Sequence, residues 1–84
     1  MTFDIIISDS AFKQLKKLDK TAQARIIKAL ERIRIRPEAF ITKLVGYPGY
    51  KLRVGDYRVL MDFDRGKLLI VVLKIGHRKN ICVV

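Results

Sequence analysis

The chain has 84 residues, half of them hydrophobic and 31% charged. That length suits one small domain, expected over residues 1–84, and is too short for two separate cores. Eighteen Lys and Arg against eight Asp and Glu leave a net charge of +10, a field that attracts polyanions such as nucleic acid or an acidic protein. The single cysteine, Cys82, excludes an intrachain disulfide and a cysteine-based metal site, and no apolar run reaches the ~20 residues of a membrane span.

Taken in chain order, "FDIIIS" (3–8) is short and β-branched, and reads as a strand. Ser8, Asp9 and Ser10 offer helix N-caps, because their side-chain oxygens can accept from free N–H groups. Ala11, Phe12, Leu15 and Leu18 follow at helical spacing, with Lys13, Lys16 and Lys17 between them, so a short amphipathic helix is expected over about 9–18. Asp19 or Thr21 caps a second helix. Its apolar stripe is Ala22, Ile26, Ala29, Leu30 and Ile33, and Arg25, Lys28, Arg32 and Arg36 fall on other faces. Pro37 disfavours helical geometry at Arg36 and should end it. So short a connection predicts an antiparallel helical hairpin whose stripes need a cover.

The cover comes from the second half. After a stretch read as irregular (37–49, with Pro37, Gly46, Pro48 and Gly49) come three strand-like runs, "YKLRV", "YRVLMDFD" and "KLLIVVLKI". Gly55-Asp56 and Arg65-Gly66 separate them at hairpin length. The last run is apolar on both alternations from Leu68 to Leu73, which predicts a central strand covered on both faces. The expected fold is α+β: an N-terminal strand and a two-helix antiparallel hairpin packed on a mainly antiparallel sheet of about four strands, in the order β-α-α-β-β-β.

A two-residue turn at Gly55-Asp56 sets the pairing. Val54 then faces Tyr57, Arg53 faces Arg58, Leu52 faces Val59 and Lys51 faces Leu60. Alternation puts Tyr50, Leu52, Val54, Tyr57, Val59, Met61 and Phe63 on one apolar face. Lys51, Arg53 and Arg58 fall on the other. Arg53 opposite Arg58 is unfavourable by a few tenths to ~1 kcal/mol, and a bound phosphate would reverse that sign through the guanidinium fork. "GHRK" (76–79) should bring Arg78 beside the strand end that carries Arg58, in a register that a bulge at the Arg65-Gly66 turn would shift. His77 is the only histidine. Imidazole exchanges protons near neutrality, which makes His77 a further catalytic candidate, although alternation sends it to the face opposite Arg78.

No carboxylate pair, Ser/His/Asp set, glycine-rich phosphate loop or metal-ligand spacing appears, so no metal or other cofactor is expected. What the cations can do is place a phosphate and stabilise its charge. Backbone cleavage of RNA suits this, because the 2′-OH can attack the adjacent phosphate.

"KLRVGDYRVLM", the helical hairpin before it, "DSAFKQLKKL", "KLVGYPGYKLRVGDYRV" and "GHRK" together resemble the RelE/ParE superfamily of toxins from toxin–antitoxin pairs, over nearly the whole chain. The RelE branch implies a ribosome-dependent endonuclease that cuts mRNA in the ribosomal A site by 2′-OH attack. By motif, that resemblance implies substrate positioning and proton-transfer assistance for Lys51 and Arg53. It implies phosphate or transition-state stabilisation for Arg58 and Arg78, and Lys43, Lys74 and Lys79 are expected to add contacts to the RNA. A tyrosine that members often carry after the last arginine is replaced here by Cys82 or Val84 in "NICVV". The ParE branch implies gyrase inhibition by binding alone, and a third reading is an inactive toxin that serves as corepressor. The resemblance further implies a small acidic, RelB-like antitoxin as partner, with operator DNA reached only through it. No membrane partner and a cytoplasmic location are expected.

Overall fold

The β-branched run near the start forms β1 (Asp4–Ile7) in the computed structural model, which describes residues 2–46 and 48–77. Ser8 ends that strand and caps α1 (Asp9–Lys16), its Oγ accepting from the Ala11 N–H at 3.2 Å. Asp19 does the same for α2 (Lys20–Ile33), accepting from the Ala22 N–H at 2.7 Å. Of the cap residues that the sequence offers, the structure uses the first in chain order each time, three residues before the first buried alanine of the helix. Ala11 and Leu15 from α1 and Ala22, Ile26, Leu30 and Ile33 from α2 are buried. Phe12 leaves its stripe for the surface, where the Lys16 ammonium sits 5.0 Å from its ring centre.

The chain then makes a 3-10 turn (Pro37–Ala39), β2 (Ile41–Lys43), β3 (Tyr50–Val54), β4 (Tyr57–Asp64) and β5 (Leu69–His77). The described strands form one sheet in the order β1-β5-β4-β3-β2, with β1 parallel to β5 and the other pairs antiparallel. This is the expected α+β order with one addition. β2 lies inside the stretch read as irregular, where a three-residue strand is outweighed by the surrounding Pro and Gly. It forms because Ile41 joins the core fringe opposite Leu52, and a bond from the Leu44 N–H to the Gly49 carbonyl (3.1 Å) closes its loop.

The β3–β4 hairpin has the register read from the sequence: Val54 faces Tyr57, Arg53 faces Arg58 and Lys51 faces Leu60. Gly55 has φ +58 at the first turn position, where a II′ hairpin needs a positive φ. The β4–β5 connection differs from expectation. It is a four-residue loop, 65–68, because the Asp64 carboxylate accepts from the Gly66 and Lys67 N–H groups (2.9 and 3.2 Å) and Leu68 turns left-handed at φ 51. The bulge lies not at that turn but within β5. Leu60 pairs with Lys74 and Met61 with Val72, which leaves Leu73 between them without a partner.

The helices cover one face only. Leu52, Val59, Met61, Ile70, Val72 and Ile75 meet them there, all buried. β5 is central, as expected, but the expectation of cover on both faces fails. Leu73 on the outer face is 48% exposed, and no described element lies over it. The extra apolar residues of this strand serve the parallel pairing with β1 and the bulge. No described helix is long and apolar enough to cross a membrane.

Candidate functional site

Alternation along β3 and β4 decides what the outer face carries. Two neighbouring rows run across the strands: Thr42, Lys51, Leu60 and Lys74, then Arg53, Arg58 and Gly76. The bulge matters to the first row. Had alternation run unbroken through Leu73, Lys74 would share the inward parity of Ile70 and Val72; with Leu73 bulged out of the ladder, Lys74 is exposed and Ile75 enters the core. Gly76 beside Arg58 has no side chain, so space is left for the guanidinium.

Lys51, Arg53 and Arg58 line a cavity of about 300 Å³ with Phe40 and Thr42. Lys51 and Arg58 are half-buried and Arg53 is exposed. Among the described residues the only ion pair is Arg65 with Glu38, at 3.2 Å and on the surface. The three cavity cations therefore have no carboxylate partner there. Asp62 and Asp64 lie further along β4, and each spends a carboxylate oxygen on nearby backbone N–H groups. With Lys51 and Arg58 partly desolvated and all three without an ion-pair partner among the described residues, such a set can receive a compact anion, Arg supplying paired donors and Lys a point charge.

The structure brings Lys51, Arg53, Arg58 and Lys74 to one face. It places Lys43 elsewhere: Lys43 pairs with Tyr50, so it belongs to the opposite parity from Thr42 and Lys51. His77 pairs with Tyr57, and their rings meet edge to face at 5.6 Å between centres, again on the face away from Arg58. Arg78 and Lys79 lie outside the described residues, as do Cys82 and Val84. Two cavity residues escaped the sequence reading. Phe40, 43% exposed, and Thr42 sit at the start of β2, where neither periodicity nor turn chemistry flags them. No group of His, Cys, Asp or Glu among the described residues could hold a metal ion.

Two helices on one face of a five-stranded sheet, with a cluster of cations on the other, define a small α+β domain with a basic outer face. The family described as the ParE toxin of type II toxin–antitoxin systems, parDE, matches residues 5–81. The chain belongs to that family, within the RelE/ParE superfamily, and is a RelE-like toxin of a toxin–antitoxin system. Among solved structures it is similar to a chain of the Mycobacterium tuberculosis RelBE2 toxin–antitoxin complex, with TM-score 0.86, 22% identity and coverage of 93% of this chain and 100% of that one. It is similar to a chain of the archaeal RelE–RelB complex from Pyrococcus horikoshii, with TM-score 0.79, 28% identity and coverage of 96% and 100%. A chain of the intact Escherichia coli RelBE complex aligns with TM-score 0.75 and 29% identity over 92% of this chain and 96% of that one. No curated protein matches.

Proposed function

We propose that this toxin is an mRNA endonuclease that acts in the ribosomal A site through the outer face of its sheet. The observation that carries this reading is the cavity walled by Lys51, Arg53 and Arg58, with no carboxylate among its lining residues and an exposed aromatic ring at its rim. A phosphodiester seated there meets the two guanidinium groups through its non-bridging oxygens. The ribose 2′-oxygen attacks phosphorus as the bond to the 5′-oxygen breaks. The products are a 2′,3′-cyclic phosphate and a 5′-hydroxyl end. Arg53 and Arg58 offset the charge that builds on the phosphoryl oxygens. Lys51 carries the amine that can exchange a proton, since arginine stays charged throughout. Arg78, by resemblance, adds a further phosphate contact. Residues 1–84 act as one toxin domain in this reading.

Phe40 supplies what the "NICVV" tail lacks, a ring on which a base can stack beside the phosphate. Stacking contributes about 1–3 kcal/mol per base. Phe40→Ala should therefore lower kcat/KM for ribosomal mRNA by roughly 5- to 150-fold, and Phe40→Tyr should restore most of it. Equal cleavage by all three proteins would remove Phe40 from the site.

The partner in this account is a small acidic, RelB-like antitoxin that masks the basic face, and operator DNA is reached only through it. The net charge of +10 and the capture of similar toxins in RelBE complexes support that reading. A second reading, gyrase inhibition without chemistry, is favoured by the ParE description of the family. Mapping mRNA 5′ ends after induction without the antitoxin separates the two. Cuts at fixed codon positions support the nuclease, and intact mRNA with blocked supercoiling supports the gyrase inhibitor.

A further inference from the structure

Arg25, Lys28 and Arg32 recur along α2 at i, i+3 and i+7 and so share one face. They face a wall, not open solvent. With Ala29 they line a groove of about 380 Å³ whose other side is Arg53, Val54 and Gly55 at the end of β3. Arg25 Nη1 comes within 3.6 Å of the point that a Cβ on Gly55 would occupy. β2 pairs with β3 only as far as Leu52, so no described strand covers the β3 edge at Arg53 and Val54. Arg53 lines both this groove and the sheet cavity and makes them neighbours.

The charge in the groove is one-sided. None of its lining residues is acidic, and none of its four cations takes part in the described ion pair. Glu31, the one acid of α2, falls instead in a separate groove with Asp4 and Arg34 on the β1 side of the helix. Like charges at i, i+3 and i, i+4 destabilise a helix by a few tenths of a kcal/mol each. By keeping its acid off this face and its cations on it, the folded chain presents a strip of one-sided positive charge.

We propose that Arg25, Lys28 and Arg32 form a second backbone-binding groove for RNA, entered from the sheet cavity past Arg53. The inference rests on the reading that the sheet face takes an RNA phosphate, and it adds that the bound strand continues around the β3 edge onto α2. The groove holds and orients the polymer; it carries no chemistry. An acidic protein segment is the competing occupant, and continuity with a phosphate-sized cavity through a shared arginine favours the nucleic acid.

The test compares wild type with Arg25→Gln/Lys28→Gln/Arg32→Gln and with the double variant Arg25→Gln/Arg32→Gln. All three positions are exposed, and glutamine is a good helix former. The probes are a 2′-O-methyl RNA 24-mer and a 3-mer, which lack the 2′-OH needed for cleavage. For single strands the salt slope is about −0.7 per phosphate contact. Losing three contacts should make the 24-mer slope shallower by about 2, so that raising salt from 50 to 200 mM costs wild type roughly 15- to 20-fold more affinity than it costs the triple variant. The double variant should fall between them. The 3-mer should bind all three proteins alike.

The proposal is overturned if the triple variant keeps the wild-type affinity and slope for the 24-mer, or if the 3-mer loses as much as the 24-mer. It is also overturned if only binding of a polyglutamate peptide falls, which would assign the groove to an acidic protein. If wild type binds neither RNA, the sheet reading fails as well, so the two failures are distinguishable.

Discussion

Replacing Arg58 by alanine will cut mRNA cleavage by about 10²- to 10³-fold, the usual cost of removing one donor to a developing oxyanion, and will relieve growth inhibition. The same change will leave thermal stability equal or slightly higher. Arg58 stands directly across the ladder from Arg53, and facing like charges cost a few tenths to ~1 kcal/mol. A structural arginine would show the opposite sign in stability, which would fall alongside activity. Translation of a reporter in a purified system, read beside a melting curve, measures both quantities on one preparation. A variant as toxic as wild type would remove Arg58 from the mechanism.

The second large effect concerns the fold. Ile26 on α2 is fully buried in the cluster that contains Leu52, Val59 and Met61. Ile26→Ala keeps the helix propensity but deletes three buried carbons, at about 2–5 kcal/mol. A chain of 84 residues has a total stability of roughly 4–13 kcal/mol, so the variant should unfold at much lower urea or remain partly unfolded without its partner. Ile27, the next residue, is exposed, and Ile27→Ala should shift the midpoint little, within about 0.5 kcal/mol. Equal losses at the two positions would contradict the burial pattern. Set beside Arg58→Ala, the pair separates loss of function through the site from loss through the core.

How much of this could be read from the amino-acid order depends on the range of the interactions involved. The β3–β4 hairpin was legible in full, because a two-residue turn and strict alternation are local, and they place Lys51, Arg53 and Arg58 together without further information. The helix caps were legible to within a choice of neighbours for the same reason. The four-residue loop before β5 was not, because it depends on Asp64 bonding the turn and on a left-handed Leu68, a conformation that leucine seldom adopts. The bulge at Leu73 was not legible either, since an apolar run shows no break in its alternation. The face that carries Lys43 was not legible for a related reason: it depends on a register with β3 that a stretch rich in Pro and Gly conceals. Phe40 and the α2 groove were invisible, since both arise where segments far apart in sequence meet.

If the outer sheet face cleaves RNA with the substrate's own 2′-oxygen as nucleophile, cutting must depend on that one oxygen. Ribosomes programmed with a defined mRNA test it directly, with a single 2′-deoxy nucleotide placed immediately 5′ of the scissile phosphate in the A-site codon. Wild-type protein should cut the all-ribose message, leave a 2′,3′-cyclic phosphate end, and fail on the deoxy-substituted message while still binding it. Equal cutting of both messages, or no cutting of either while gyrase supercoiling stops, would contradict it.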